Sequence, residues 1–292
     1  RHIVHYARGC ACPQPHIEQR HLPRHILTPL LRRIAHRYFR YLGKSATELT
    51  GPSMKVQEYF DLCGVHKSVN VVPNPVELDV FNPSNLNQEH IAAIRRQYGV
   101  ADDETLVSFC GRLGKEKSVD VLLDNWAKCV KPEDKCKLMI LGGGPCLSEL
   151  VEQSRRLGID RQVIFTDAIP HEELPDYYGA CQLYVTASIS DTNSISMKEA
   201  MATGLPVLHI KDPLNAGQVV DGVNGFIYNN AEEMYALLKQ YQAMTEEEKE
   251  ALTISVVNSV KIFGCEALAK YLIGVYEKAI KEKQEKIAVK KK

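Results

Sequence analysis

Residues 105–145 read TLVSFCGRLGKEKSVDVLLDNWAKCVKPEDKCKLMILGGGP. Thr105–Cys110 is a short apolar run that breaks at Gly111, the pattern of a buried strand. Val119–Cys129 reads as a helix, and Lys137–Leu141 as the next strand. The alternation continues outward. Leu147–Leu157 is helical, Val163–Thr166 strand-like, Leu174–Tyr178 part of a short helix and Leu183–Thr186 a strand. Met197–Thr203 is a helix, Pro206–Ile210 a strand and Gly225–Tyr228 a last short strand, with helices to the end. Such alternation predicts an α/β fold, a parallel sheet covered by helices on both faces. Ligands of these sheets bind beyond the carboxyl ends of the strands, so the loops after each strand are the places to look for chemistry.

Upstream, Met54–Cys63 reads as a helix and Ser68–Val72 as a strand, the end of a preceding α/β domain. Pro73-Asn74-Pro75 and Asn82-Pro83-Ser84 make a stiff linker. The expected organisation is therefore a remnant of one domain over 1–75, a Rossmann-like domain over 76–262, and a C-terminal helix with a basic tail over 263–292. No internal repeat is visible.

Length and composition agree with this layout. The chain has 292 residues, 45% hydrophobic and 25% charged, with 36 basic and 36 acidic side chains. The zero net charge argues against a dedicated nucleic-acid binder. No apolar run reaches the ~20 residues of a spanning helix, and the opening Arg1-His2-Ile3-Val4-His5 is no signal peptide. It also lacks an initiator Met, so a fragment or processed chain is expected. Nine cysteines, scattered and odd in number, suit a reducing compartment, and the expected location is cytoplasmic.

The even balance hides an uneven distribution. Residues 1–44 hold eight Arg and Lys44 against the single acid Glu18, a net of +8, and six of the ten histidines. Within Pro23–Leu42, Leu27, Leu31, Ile34 and Tyr38 fall at helical spacing among Arg32, Arg33, Arg37 and Arg40. A basic helix with aromatics can lie on an anionic membrane surface, at the inner face for a cytoplasmic protein. The same spacing suits a helix with a solvated basic face whose other side joins a core. The tail from Lys278 to Lys292, net +5, reads as a frayed helix end.

Three loops carry candidate chemistry. Gly111-Arg112-Leu113-Gly114-Lys115-Glu116-Lys117 directly follows a strand; Gly111 allows close approach of backbone to a ligand, and Arg112 and Lys117 are strong donors for a diphosphate. A βα turn with solvated charges would look the same. Leu141-Gly142-Gly143-Gly144-Pro145 lacks the glycine spacing of a dinucleotide fingerprint and reads as a tight packing turn. Ser190–Val207 (SDTNSISMKEAMATGLPV) follows the strand Leu183–Thr186. In it Asp191 could accept from sugar hydroxyls, a helix N-terminus near Asn193, Ser194, Ile195 and Ser196 offers free N–H groups, and Glu199, about two turns into the helix, could reach ribose hydroxyls. An N-cap with a surface glutamate is the alternative. No Asp-x-Asp occurs, so a carboxylate-held metal is not expected; Cys10 and Cys12 with His5 and His16 match no zinc-ligand spacing. There is no Gly-x-Ser-x-Gly elbow.

Taken together these residues resemble glycosyltransferase family 4, which has the GT-B fold. Val71-Val72-Pro73-Asn74-Pro75-Val76, ending at Phe81-Asn82-Pro83, resembles that family's interdomain linker. Gly111 to Lys117 resembles its donor-diphosphate loop, Asp191 to Glu199 its Glu-seven-residues-Glu motif, and Asp221-Gly222-Val223-Asn224-Gly225-Phe226 the motif that follows. The resemblance covers roughly residues 45–280, and is strongest to the family's bacterial diacylglycerol glucosyltransferases. It implies retaining transfer of a hexose from a UDP-sugar to a lipid acceptor, without a metal or other cofactor. Arg112 and Lys117 would neutralise the leaving diphosphate, the turn Asn193–Ser196 would add backbone donors, Glu199 would hold the ribose, and Asp191 would contact the donor sugar. A cell-wall or polysaccharide precursor as acceptor, and a nucleotide-sugar-binding fragment without catalysis, stay open. Three departures stand out: Asp191 replaces the usual Glu, Asn193-Ser194 replaces a glycine-containing turn, and the family's first glycine-rich loop and its histidine are expected upstream of Arg1. No histidine of this chain takes that role.

Overall fold

The computed structural model describes residues 4–5, 24–215 and 217–290. The chain divides into two compact units, Arg1–Asn74 with Glu266–Lys292, and Pro75–Cys265.

In the first unit, β1 (Val4–His5), β2 (Leu49–Gly51) and β3 (Val69–Val71) form a parallel three-stranded sheet in that order. Helix α1 (Arg24–Ser45) precedes β2, and α2 (Met54–Leu62) joins β2 to β3. The small core is Ala46, Leu49, Val56, Phe60 and Val65, and Phe39 of α1 packs against it. Phe39 meets the rings of Tyr59 and Phe60 edge-on, at 5.3 and 6.4 Å between centroids. Arg40 Nε donates to the Cys63 carbonyl at 2.6 Å. One side of α1 thus joins a core, while Leu30, Leu31, Ile34, Tyr38 and Tyr41 stay exposed. The side chain of Leu27, residues 1–3 and 6–23, and with them Cys10, Cys12 and His16, lie outside what is described. Among the described residues no helix is long and apolar enough to cross a membrane.

The second unit opens with α3 (Gln88–Gln97) and then alternates strand and helix: β4 (Thr105–Cys110), α4 (Val119–Cys129), β5 (Cys136–Leu141), α5 (Leu147–Arg156), β6 (Val163–Phe165), α6 (Leu174–Gly179), β7 (Leu183–Thr186), α7 (Ile195–Ala202), β8 (Val207–Ile210), β9 (Gly225–Tyr228), α8 (Ala231–Ala243) and α9 (Glu246–Val260). The last helix, α10 (Cys265–Lys290), carries the chain on into the first unit's C-terminal segment. The six strands are all parallel, in the order β6-β5-β4-β7-β8-β9. The apolar runs explain the arrangement: Leu106 and Val107 of β4 and Leu138–Leu141 of β5 are fully buried, as strands covered on both faces must be.

Strand order reverses between β4 and β7. From β4 the chain builds outward through β5 and β6, then returns and builds the other way through β7, β8 and β9. β4 pairs with β5 along its whole length but with β7 only at Val107–Leu183 and Ser108–Tyr184. Beyond Ser108 the ladder between the two central strands ends, and at such a switch point a doubly wound sheet is expected to leave a crevice at its carboxyl ends.

Two sequence expectations are corrected. The helix expected from Met197 starts at Ile195, because the Ser194 hydroxyl caps it by accepting from the Met197 N–H at 3.3 Å. Glu199 is therefore the fifth residue of α7, one turn in rather than two.

Helix α7 is buried from Met197 to Ala202, and Lys198 with it, at 1% exposure. Its ammonium donates to Asn193 Oδ1 and lies 4.5 Å from the Phe263 ring centroid. Burial pulls the Lys198 pKa down from 10.5 to about 7. Between those two values the folded chain holds fewer protons than the unfolded one, so stability rises with pH across that window. Lys198→Met removes this slope. Urea unfolding at about pH 7 and about pH 9 checks it: the parent gains stability at the higher pH, and the variant gains less. An equal gain in both would rule out Lys198 as the source.

Candidate functional site

The crevice between β4 and β7 is lined by the loops that follow them. The first, Gly111–Lys117, is held from behind by the glycine turn after β5. Gly111 N–H donates to the Leu141 carbonyl at 3.0 Å, and Leu113 N–H to the Gly143 carbonyl at 2.9 Å. Gly142 lies at φ +134°, where a Cβ would sit 2.1 Å from the Gly111 carbonyl oxygen. No other residue permits that approach. The triple glycine is thus a packing turn, and what it packs is the backbone that carries Arg112. The Arg112 side chain is exposed and makes no hydrogen bond or ion pair with the described residues.

Lys117 ends the loop in a single 3-10 turn, Lys115–Lys117. Its ammonium pairs with the Asp191 carboxylate on the loop after β7, both side chains about one-fifth exposed, at 23% and 20%. The same two loops are stitched by hydroxyls: Ser188 Oγ donates to the Glu116 carbonyl at 3.3 Å, and Ser190 Oγ to the same oxygen. Deeper in the crevice, the Cys110 carbonyl at the end of β4 accepts from Ser196 Oγ at 2.8 Å and from Tyr184 Oη at 3.1 Å. These bonds tie the first turn of α7 to the last residue of β4. The Cys110 thiol is no nucleophile, since burial pushes its pKa up to about 12.

The residues Asn193, Ser194, Ile195 and Ser196 divide into different tasks. Asn193 is buried and turns its side chain to Lys198 and to Gln218, its Nδ2 donating to Gln218 Oε1 at 3.2 Å. Ser194 is the cap, and Ser196 spends its hydroxyl on Cys110. Ile195 and Ser196 begin the helix, so their N–H groups have no intrahelical acceptor. That positive helix end lies at the switch point, on the element that follows Asp191, the partner of Lys117.

Glu199 is 7% exposed, and His171 Nε2 lies 3.1 Å from its Oε1. Burial raises the Glu199 pKa, against the hydrogen bond and charge of His171, and the nearby Glu77 raises it further. The structure therefore brings Lys117 and Asp191 together and sets Glu199 one turn along α7 in the company of His171. His171 was not singled out from sequence. The available signal was its place on the loop after β6, one of the carboxyl-end loops of the sheet. Lys198, a charge buried beside Glu199, was also missed; its neighbours Met197 and Ala200–Ala202 are apolar, which marks the buried stretch. Among the described residues no group of three or more His, Cys, Asp or Glu could hold a metal ion.

The chain is 32% identical over 177 residues to the α-monoglucosyldiacylglycerol synthase of Streptococcus pneumoniae, covering 61% of this chain and 40% of that protein. It is 28% identical over 242 residues to the D-inositol 3-phosphate glycosyltransferase of Kribbella flavida, covering 79% of this chain and 56% of the relative. The chain thus spans about half the length of these relatives, or less. Among solved structures, Anabaena HepE in complex with UDP-glucose superposes with a TM-score of 0.73 at 22% identity, over 87% of this chain and 70% of that one, which shows the GT-B fold. Residues 90–255, which hold both crevice loops and all of α7, match the family model of glycosyl transferases group 1, and the chain belongs to that family.

Proposed function

We propose that the crevice binds a UDP-sugar and that the protein transfers its hexose, with retention, to a diacylglycerol-like lipid. The observation that carries the donor reading is the convergence at one switch point of a cationic loop, a helix N-terminus and a buried carboxylate one turn beyond. A diphosphate fits the first two and a ribose the third. HepE of Anabaena, with the same fold, is a UDP-glucose complex.

In this reading the acceptor hydroxyl attacks the anomeric carbon on the leaving-group face, the bond from that carbon to the diphosphate breaks, and the departing phosphate takes the hydroxyl proton. Arg112, Lys117 and the N–H groups of Ile195 and Ser196 meet the charge that develops on the phosphate. The Lys117–Asp191 pair has a definite part. A diphosphate draws Lys117 toward itself, and Asp191 then accepts from the donor sugar. The shorter Asp is served here by a lysine that already reaches it.

The lipid reading rests on α1. Leu30, Leu31, Ile34, Tyr38 and Tyr41 are exposed on the helix that carries Arg32, Arg33 and Arg37. The pneumococcal relative is named for a diacylglycerol product. Near an anionic surface each Lys or Arg adds about 1 kcal/mol, decaying over a Debye length of ~8–10 Å.

Two measurements test these points. Calorimetry should show UDP binding by the parent, weakened by about 1.5–3 kcal/mol in Arg112→Ala and in Lys117→Ala with unchanged circular dichroism. No binding to the folded parent at about millimolar UDP would remove the donor site. Cosedimentation should show binding to anionic but not neutral vesicles, reduced by salt and by joint replacement of Arg32, Arg33 and Arg37 with Gln. Arg40 is left intact because its bond to Cys63 is structural. Binding indifferent to lipid charge would take α1 out of the account.

A further inference from the structure

We propose that His171 is a positioning residue of the nucleoside subsite, fixing the Glu199 carboxylate for the ribose hydroxyls, and that the linker residue Phe81 fixes His171. This rests on the donor reading above.

The geometry is specific. His171 Nε2 engages Glu199 Oε1 at 3.1 Å, while Oε2 takes no hydrogen bond from the described residues. A carboxylate so held keeps one oxygen and spare lone pairs for donors from a ligand. The imidazole is half exposed, at 52%, whereas the Glu199 side chain beneath it is 9% exposed. The histidine is thus the solvent-facing partner of a buried acid. Its backbone is pinned on both sides: the Pro170 carbonyl accepts from Glu173 N–H at 3.0 Å, and the His171 carbonyl from Leu174 N–H at 3.3 Å.

Phe81 supplies the remaining constraint. It is 1% exposed and presents its ring edge-on to His171, with centroids 5.2 Å apart and planes at 73°. Tyr178 of α6 also packs on it, 6.2 Å between centroids, and both rings belong to the close-packed core. The linker stretch Val76–Pro83 therefore reaches the site through an aromatic contact. It also contributes Glu77, whose charge disfavours the Glu199 anion.

The groups facing Glu199 are Glu77 from the linker, Cys110 from β4, Tyr178 from α6 and His171. Burial keeps Cys110 and Tyr178 protonated, and Glu77 opposes the charge. His171 is the member of this set that favours the carboxylate. Ribose hydroxyls donate to the ionised acid, so nucleoside affinity is full above the Glu199 midpoint and falls as pH drops through it. Removing His171 raises that midpoint, and the fall begins at higher pH.

The test compares the parent with His171→Ala, His171→Gln, Phe81→Leu and Glu199→Gln by calorimetry with UDP and with pyrophosphate across mildly acid to neutral pH. His171→Ala should lose about five- to tenfold in UDP affinity, with the loss growing as pH falls and pyrophosphate binding unchanged. His171→Gln, a neutral donor, should recover affinity near neutrality and fail at acid pH. Phe81→Leu should shift in the same direction by less. In parallel, carbon-13 NMR of the Glu199 carboxyl, without ligand, should titrate at higher pH in His171→Ala. An unchanged titration, or UDP binding by His171→Ala with the parent's affinity and pH profile, overturns the proposal. If UDP fails to bind the parent, or Glu199→Gln binds it equally well, the donor reading fails instead, and the carboxyl titration still decides whether His171 governs Glu199.

Discussion

The site depends on where β4 stops pairing with β7. Parallel strands must be joined by crossovers, and a chain that builds a sheet first in one direction and then in the other leaves two neighbouring strands whose exits diverge. Here the divergence begins after Ser108, and the backbone exposed by it is not left unsatisfied. The Cys110 carbonyl accepts from Ser196 and Tyr184, both borne by the β7–α7 segment. That one oxygen sets how far the start of α7 stands from the end of β4. Glu199 lies on α7 itself, and Lys117 and Asp191 lie on the loops that leave β4 and enter α7, so this contact bears on the positions of all three.

The sheet was legible because its strands are buried on both faces. Short apolar-rich runs placed Thr105–Cys110, which breaks at Gly111, together with Leu183–Thr186 and Gly225–Tyr228 at their observed bounds. Shorter or less periodic elements escaped. Leu49–Gly51 is too short to show alternation, and Gln88–Gln97 buries only Ile91 and Ile94. The start of α7 was misplaced because Asn193, Ser194 and Ser196 are turn formers by local preference. Local bonds to Lys198 and to Met197 N–H make Asn193 a buried anchor and Ser194 a cap, and the long-range bond to Cys110 holds Ser196 in the first helical turn.

In the site, the loops and the charges they carry were legible from glycine breaks and from the Asp191–Glu199 spacing. What was not legible is which cation meets which acid. Lys117 and Asp191 are 74 residues apart, and His171 and Glu199 are 28 apart. Neither pair follows a helical or strand period. Each is a consequence of sheet order, which brings the loops after β4, β6 and β7 to the same edge.

The two pairs differ in what they ask of a ligand. Lys117 and Asp191 are each about one-fifth exposed, and in the proposed donor reading a diphosphate competes with Asp191 for the lysine. Glu199 is nearly enclosed, and there the loss of a partner leaves a charge that burial already disfavours. His171 is therefore not something a nucleoside can displace cheaply. In the proposed donor reading a ribose approaches the other carboxylate oxygen while the histidine stays. In that reading the Lys117–Asp191 pair exchanges partners, whereas Glu199 keeps the histidine that offsets its burial. Under the proposed function the first pair serves a leaving group and the second a handle, and sheet order sets both at the carboxyl end of the strands.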